Sequence, residues 1–350
     1  MTTQQTNTAI GAHLVGGLHA PDAETAMMTA AGTLGHHLYA LPDGETGDRS
    51  QWILWQIDKL TAIDGFEMVG FDGVTDASNQ DYAEFPSIAV DASVTAVSPT
   101  ALGYSDAAKE SYAVFRRLRE QGTIPAEVKF QVSVPTPFAT VIAWIRPQDQ
   151  ERFFPIYADA IAAEIAEIAR TVGDDLLLQH DVAVEVGALT GNFTTVDRFR
   201  DKQVVIDTLR DAMGRVPTGV EQGVHLCYGD YKHRHFAIPE NLGLCVELAN
   251  AAGDAAAFVH MPVDRDTGRD PAYFEPLRGL SVKRLALGVI DYEGDVHRTQ
   301  ELIAAADVGS GGVQFAVATE CGMARIADRP GGPSLERLLE LHAEVAAAVR

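Results

Sequence analysis

Short apolar runs alternate with amphipathic stretches along most of the chain. The runs have the length of buried strands, and the stretches between them repeat apolar residues at helical spacing. The strand candidates are Ile10–Gly16, His37–Leu41, Val128–Val134, Asp175–Asp181, Gly223–Cys227, Ala256–Met261, Arg284–Ile290 and Gly312–Thr319. The helix candidates include Ala23–Gly35, Gln51–Ala62, Ala107–Gln121, Gln148–Val172, Val205–Met213, Pro239–Ala252 and His297–Ala306. Such alternation is typical of βα units, and eight strands predict a closed α/β barrel of the (β/α)8 type, a TIM barrel.

Two segments do not fit this alternation. Phe66–Pro99 is rich in Asp, Ser and Val without a helical period, which predicts a hairpin excursion after the second strand, over the barrel mouth. Tyr228–Pro239 is long for a βα loop. Its charged run of Lys232, His233, Arg234 and His235 fits either a lid or a solvated loop.

Composition and charge restrict the number of domains, the partners and the location that the sequence allows. The 350 residues are 46% hydrophobic and 22% charged, which suits one barrel domain spanning residues 1–350. A formal net charge of −22 disfavours nucleic acid and anionic membrane surfaces as partners. Apolar runs fall short of the roughly 20 residues of a membrane span, and Met1–Thr8 lacks the features of a signal peptide. We therefore expect a cytoplasmic protein.

Polar residues stand where several predicted strands end. In a barrel of this type the chemistry is carried at the carboxyl ends of the strands, so such positions are functional candidates. The candidates are Glu45, Asp181, His225, Cys227, His260, Asp291 and Cys321.

A metal site is the first hypothesis for these residues. His225 and Cys227 are two apart on one strand and therefore face the same side, while Cys321 ends the last strand. Two thiolates and an imidazole suit tetrahedral Zn²⁺. The three cysteines of the chain are too few for a disulfide framework, but buried cysteines also occur as plain core residues.

The fourth ligand stays open among His260, Glu247, water and a substrate. Glu247 shares the predicted helix Pro239–Ala252 with Cys245, which places both outside the lumen. His260 ends the next strand and is the better candidate, although a hydrogen-bonded core histidine fits the pattern too.

The same residues resemble a known family, the cobalamin-independent methionine synthases. His225-Leu226-Cys227-Tyr228 resembles that family's His-x-Cys-Tyr segment, and Thr319-Glu320-Cys321-Gly322 resembles its Asp-Cys-Gly segment. Both family segments carry zinc ligands. Leu178-Gln179-His180-Asp181 resembles the strand whose aspartate contacts the amino group of homocysteine.

Three weaker matches extend the resemblance over roughly residues 10–325, in the family's order. Asp43-Gly44-Glu45 resembles His-Gly-Glu, whose glutamate also holds the amino acid. Val134-Pro135-Thr136 resembles Gly-Pro-Val-Thr, and Gly288-Val289-Ile290-Asp291 resembles Gly-Val-Tyr-Asp. The resemblance implies the catalytic, carboxyl-terminal domain of these enzymes, within the superfamily that also holds uroporphyrinogen decarboxylase and the zinc enzymes that alkylate coenzyme M.

The sequence also departs from the family pattern. The family's amino-terminal barrel has no counterpart, so the alkyl donor need not be a folate and could be a corrinoid or another compound. Val15-Gly16-Gly17-Leu18 stands where the family has Ile-Gly-Ser-Phe, and Val182-Ala183 replaces Glu-Pro. His260 stands at the family's glutamate ligand, and Glu293 at a histidine that is thought to move protons.

The resemblance implies zinc-dependent alkyl transfer, methyl above all, to a substrate thiol activated as a zinc-bound thiolate. The residues with implied roles are His225, Cys227, His260 and Cys321 as metal ligands, Asp181, Glu45, Asp291 and Glu293 in catalysis, and Glu45, Asp181, Gly17, His19, Trp144 and Tyr228 in substrate binding. Trp144, Tyr228 and Phe138 could wall the donor or be plain core. Glu45 and Asp181 could instead be engaged by Arg49 or by helix N-termini. Two other functions stay open: a lyase, decarboxylase or dealkylase of the same superfamily, and a non-catalytic binding barrel.

Overall fold

Eight parallel strands form one sheet in the computed structural model, which describes residues 8–69, 87–98, 100–191, 195–230, 234–328 and 331–349. The strands of this sheet are β1 (Ala9–Ala12), β2 (Ala40–Pro42), β5 (Lys129–Pro135), β6 (Leu176–Val182), β7 (Glu221–Leu226), β8 (Phe258–Pro262), β9 (Leu285–Ile290) and β10 (Phe315–Thr319). Their spatial order is β1-β10-β9-β8-β7-β6-β5-β2. Each predicted strand overlaps an observed one.

The two outer strands of this order meet, so that the sheet curls into a barrel. Isolated parallel bridges join Ala12 to Leu38 and Gly17 to Gly44. Regular pairing of β1 is shorter than predicted because its register shifts between Ala9 and Ala12. Gly11 adopts a φ of 78° there, a conformation that glycine tolerates, and the chain bulges at that point. The predicted (β/α)8 class is confirmed.

Ten α-helices lie in the described part of the chain. They are α1 (Ala23–Leu34), α2 (Trp55–Thr61), α3 (Tyr104–Glu120), α4 (Pro137–Trp144), α5 (Pro147–Val172), α6 (Val184–Leu189), α7 (Lys202–Gly214), α8 (Gly243–Ala252), α9 (Val296–Ser310) and α10 (Leu335–Val345). Seven match the predicted helices, whereas α4, α6 and α10 were not predicted. Helix α4 is buried almost all round, so its sequence has no polar face to reveal a helical period. Among the described residues, no helix has the length and apolar character that a membrane crossing requires.

The excursion between β2 and β5 contains the predicted hairpin. Strands β3 (Phe66–Val69) and β4 (Ser87–Val90) pair antiparallel. The hairpin packs beside α5, where the ring of Phe66 meets Phe153 edge-on with centroids 5.3 Å apart. The segment between the two strands, 70–86, lies outside the described residues, as do Lys232 and His233 of the charged loop.

The strand ends bring the candidate residues into register. Asp181 on β6 has His225 on β7 as its Cα partner, and His225 in turn has His260 on β8. Because neighbouring parallel strands in register point equivalent side chains to the same side, these three side chains converge on the lumen. The fold therefore gathers polar groups that are up to 79 positions apart at one end of the barrel.

Candidate metal centre and adjoining cavity

Three potential metal ligands converge where β7 and β10 end. One ligand atom each of His225, Cys227 and Cys321 lies within 4.8 Å of the other two. The sulfur atoms of Cys227 and Cys321 are 3.6 Å apart, and the Cys321 Sγ lies 3.9 Å from Nε2 of His225. This group contains three of the predicted metal ligands.

The separations fit a tetrahedral zinc ion. Ligands at about 2.3 Å for sulfur and about 2.0–2.1 Å for nitrogen are about 3.8 Å apart for two sulfurs and about 3.6 Å for sulfur and nitrogen. The observed 3.6 and 3.9 Å need shifts of only a few tenths of an ångström. The donor set, two soft sulfurs and one borderline nitrogen, is also the kind that Zn²⁺ prefers.

The surroundings of the Cys321 thiol are consistent with the same assignment. The hydrogen bond with Cys227, together with burial, raises the pKa of the Cys321 thiol well above its ordinary value. Burial and the adjacent sulfur disfavour the thiolate form of Cys321, so a neighbouring cation would be needed to keep it ionised. The Cys227 sulfur also accepts a hydrogen bond from the backbone N–H of Gly229 at 3.4 Å. The cluster is thus arranged to hold thiolates once a cation is present.

His260 stands behind His225 rather than beside the two cysteines. Its Nδ1 lies 2.7 Å from Nδ1 of His225, and its Nε2 lies 3.0 Å from the carbonyl oxygen of Thr319. Burial lowers the pKa of His260 well below its ordinary value, and the neighbouring imidazoles of His225 and His13 lower it further. Both ring nitrogens are therefore engaged, which argues against the predicted role of His260 as fourth ligand.

A cavity of about 100 Å³ opens onto the three ligand atoms. Its wall is mainly apolar and includes one cation and several acids at defined points. Its lining includes His225, Cys227 and Cys321, together with Gly16, Gly17, Glu45, Trp52, Trp144, Asp181, Asp230 and Arg325. A small molecule in this cavity would lie against the cluster.

Two predicted carboxylates, Glu45 and Asp181, share this cavity. Asp181 accepts hydrogen bonds from Trp52 Nε1 at 2.9 Å and from Gln179 Nε2 at 3.0 Å. Burial raises the pKa of both carboxyl groups, and the charge of Asp181 raises that of Glu45 further. Two acids that repel each other in an apolar wall form a site for a cation, such as an ammonium group.

Arg49 forms its ion pair with Asp43, whose Oδ2 lies 2.6 Å from its Nη2, and its charge only partly offsets the rise in the pKa of Glu45 that burial and Asp181 cause. The cation that faces the cavity is Arg325, whose Nη2 lies 3.0 Å from Oδ2 of Asp230. Its side chain is largely buried, with a relative exposure of 14%. Within the described part of the chain, its Nε has no hydrogen-bond partner.

Backbone strain concentrates at the same cavity. Among the described residues, the two non-glycine positions with positive φ are Glu45, at 47°, and Trp52, at 55°. Such conformations cost free energy in residues with a Cβ and persist where the surroundings impose them. Gly16 permits the approach of Glu45, because a Cβ at position 16 would lie 2.8 Å from the Glu45 Oε1.

Asp291 and Glu293 lie in a neighbouring part of the mouth. Asp291 lines a second cavity of about 380 Å³, which Arg265 and His235 also line. Arg265 Nη1 lies 2.6 Å from Glu293 Oε1, and Arg298 Nη1 lies 3.5 Å from Asp291 Oδ1. Although burial lowers the pKa of His235, its hydrogen bonds with Asp264 and Glu320 raise it to about 10. Asp291 and Glu293, the two predicted catalytic acids, thus do not line the cavity beside the sulfur atoms.

The remaining predicted residues divide between the cavity and other surroundings. Gly17 and Trp144 line the cavity. His19 is exposed and lies against the carbonyl oxygen of Ala324. The hydroxyl of Tyr228 meets that of Tyr273 at 2.9 Å in the core. Glu247 is on α8, as predicted, and pairs with Lys202 at 2.7 Å on the surface.

Trp52, Asp230, Arg325 and the core histidine His13 were not singled out from the sequence. Asp230 is three residues after Cys227, and Arg325 is four residues after Cys321, so proximity to the ligand segments was the available signal. Trp52 carries no such signal, because its contact with Asp181 joins positions 129 apart.

Comparisons with known proteins agree with the fold. No protein-family model matches the sequence, and no curated protein is significantly similar to it. A B12-independent methionine synthase from Shewanella sp. W3-18-1, solved in complex with selenomethionine, superposes with a TM-score of 0.54 at 15% identity, over 97% of each chain.

Two further solved structures superpose equally well. A putative vitamin-B12 independent methionine synthase from Listeria monocytogenes gives a TM-score of 0.55 at 14% identity, over 97% of this chain and 99% of that one. A methyltransferase from Methanosarcina mazei gives 0.53 at 14%, over 97% and 93%. At these identities the likeness establishes the fold alone. The chain is an α/β barrel with the fold of cobalamin-independent methionine synthase-like proteins, as its motifs predicted.

Proposed function

We propose that this chain is a zinc-dependent transferase, a single barrel domain over residues 1–350, that moves an alkyl group, most simply methyl, onto a substrate thiol. The observation that carries the proposal is the spacing of His225, Cys227 and Cys321, which fits zinc at the end of a cavity. The fold shared with methionine synthases and a methyltransferase supports methyl transfer.

His225, Cys227 and Cys321 would hold the metal. Zinc bound by two thiolates and an imidazole supplies the Lewis acidity that keeps a substrate thiol deprotonated, and hence nucleophilic, at neutral pH. The apolar parts of the wall, such as Ile53 and Trp144, exclude water from a thiol in the cavity.

The charged residues of the cavity orient the substrate. Glu45 and Asp181 would receive an ammonium group, which removes the repulsion between their carboxylates. Trp52 and Gln179 each donate one hydrogen bond to Asp181 and fix its direction. Arg325 would receive an anionic group on the same molecule. The cavity therefore suits a small thiol that carries both charges, while the alkyl donor would enter from the barrel mouth.

Metal content tests this proposal directly. Protein purified without chelators or a histidine tag is expected to hold about one zinc per chain. Cys227→Ser and Cys321→Ser should each lose it. Cys245→Ser is the matched control, because Cys245 is on α8 and its sulfur contacts the Tyr228 hydroxyl at 3.6 Å, away from the cluster.

The outcomes separate the competing functions. Zinc that is lost in the first two variants and kept in the third justifies a screen of thiols against methyl donors. Wild-type protein that takes up no zinc, even when zinc is supplied, would exclude the proposed transfer. A metal-free lyase or a non-catalytic binding barrel would then be the better description.

A further inference from the structure

His225 and His260 form a directed hydrogen-bonded pair inside the barrel. The two residues are Cα partners on the neighbouring strands β7 and β8, and their ring centroids are 4.7 Å apart. His260 is fully buried, and His225 is nearly so. Their Nδ1 atoms are 2.7 Å apart, a distance at which one nitrogen must donate a proton to the other.

The partner on the far side of His260 decides which nitrogen donates. Its Nε2 lies 3.0 Å from the carbonyl oxygen of Thr319, which can only accept, so Nε2 carries a proton. A doubly protonated His260 would place a charge in the lumen, where the ring stacks on His13 with centroids 5.6 Å apart. Neutral His260 therefore has its lone pair on Nδ1, and the Nδ1 of His225 must donate to it.

The tautomer of His225 decides which of its nitrogens can bind a metal beside the two cysteines. A neutral His225 with its proton on Nδ1 has its lone pair on Nε2, and this nitrogen faces the Cys321 sulfur at 3.9 Å. We propose that His260 is a positioning residue that fixes the tautomer and ring orientation of His225, so that Nε2 is the nitrogen available to a metal. The inference rests on the proposed function for the identity of the ion, but the tautomer itself is a property of the metal-free chain.

The arrangement also ties the two ligand-bearing strands together. Thr319, which accepts from His260, is two residues before Cys321 on the same segment, and its hydroxyl donates to the Cys321 carbonyl oxygen at 2.6 Å. The chain from Thr319 through His260 to His225 thus spans β10, β8 and β7. A hydrogen bond to the second nitrogen of a ligand histidine commonly strengthens metal binding by about 10–100-fold.

Nuclear magnetic resonance of the metal-free wild-type protein, labelled with ¹⁵N-histidine, tests the tautomer. We expect His225 to show a protonated Nδ1 and an unprotonated Nε2, and His260 to show the opposite pattern. A proton on Nε2 of His225 would overturn the proposal. This arm does not require metal binding, so it stays decisive even if the protein takes up no zinc and the proposed function fails.

Two variants at position 260 test the consequence for the metal. His260→Asn places a carbonyl oxygen near the site of Nδ1 and keeps an acceptor for His225, whereas His260→Leu removes it. We expect the Leu variant to bind zinc about 10–100-fold more weakly and the Asn variant to recover most of the loss. Cobalt(II) substituted for zinc should keep its thiolate absorption and coordination number in both.

Three results would contradict the positioning role. They are equal losses of affinity in the two variants, an unchanged affinity in His260→Leu, and a cobalt spectrum that shows one ligand fewer, as expected if His260 were itself a ligand. If the Leu variant does not fold, the comparison of His260→Asn with wild type and the tautomer measurement still decide.

Discussion

The sulfur atoms of Cys227 and Cys321 lie 3.6 Å apart, although 94 positions separate the two residues. Their segments follow β7 and β10, which are separated in the sheet by β8 and β9. The contact therefore crosses the barrel mouth rather than joining adjacent strands. It exists because the sheet curls strongly between β7 and β10, and it places the two sulfurs beside His225 at the cavity that Asp181 also lines.

Replacing Trp52 by Phe removes one of the two hydrogen bonds that the Asp181 carboxylate accepts from Trp52 and Gln179. A hydrogen bond to a charged group contributes about 1.5–3 kcal/mol, so we expect zinc-loaded Trp52→Phe to bind cysteamine about 10–100-fold more weakly. Isothermal titration calorimetry measures this. Trp144→Phe is the matched control, because its indole N–H donates to the Ile53 carbonyl in the same cavity. Equal losses in the two variants would refute the role of Trp52.

Arg325→Gln tests the anionic end of the substrate. The variant should bind 3-mercaptopropionate about 10-fold or more less tightly, because a charge-assisted hydrogen bond contributes about 1.5–3 kcal/mol. Binding of the uncharged 2-mercaptoethanol should change much less. The two thiols measured on one zinc-loaded variant control for any general loosening of the Asp230 contact. A similar loss for both thiols would show that Arg325 is structural.

Gly309 on α9 has no room for a side chain. A Cβ there would lie 2.0 Å from the Pro271 carbonyl oxygen and 2.9 Å from Phe274 Cβ. Gly309→Ala should therefore lower the free energy of unfolding by about 1–3 kcal/mol or more. Gly32 in α1 has no neighbour within 4 Å, and Gly32→Ala should raise it by about 0.5–1 kcal/mol. Urea unfolding measures both, and a stabilised Gly309→Ala would contradict this packing.

Glu185 should make stability depend on pH. Burial raises its pKa from 4.5 to about 7, although Thr136 donates a hydrogen bond to its carboxylate. Between these two values the folded chain keeps a proton that the unfolded chain has lost, so stability falls as pH rises through this window.

Glu185→Gln removes that dependence. We compare the unfolding free energy of the variant with that of wild type at each pH. This difference should change by about 3 kcal/mol in favour of the variant when the pH is raised from about 4 to about 8.5, since one pKa unit corresponds to about 1.4 kcal/mol. Urea unfolding of both proteins at the two pH values gives the difference. A difference that does not change with pH would show that folding leaves the pKa of Glu185 unchanged.

The alternation of apolar runs and amphipathic stretches was sufficient to predict the eight strands and their barrel, and the segment that departs from it predicted the hairpin after the second strand. Local pattern was enough because burial of each run and the helical period between runs are encoded within a few residues. Helices without such contrast, such as α4, escaped prediction because their surroundings are apolar on every side. The pairing of His225 and Cys227 on one face was also local, since strand geometry alternates every second residue.

Tertiary structure alone decided which strand-end groups share a cavity. From the sequence, His260 and Asp291 were strand-end candidates like Asp181 and Cys321, and Glu293 had a role implied by the family resemblance. In the folded chain His260 is committed to His225 and Thr319, and Asp291 and Glu293 face Arg265. Trp52 and Arg325 line the cavity from loops that are distant in sequence from Asp181. The direction of a side chain at a strand end depends on barrel curvature and on partners in other strands and loops, from 26 positions away for Arg265 and Asp291 to 129 for Trp52 and Asp181, and local sequence does not encode either.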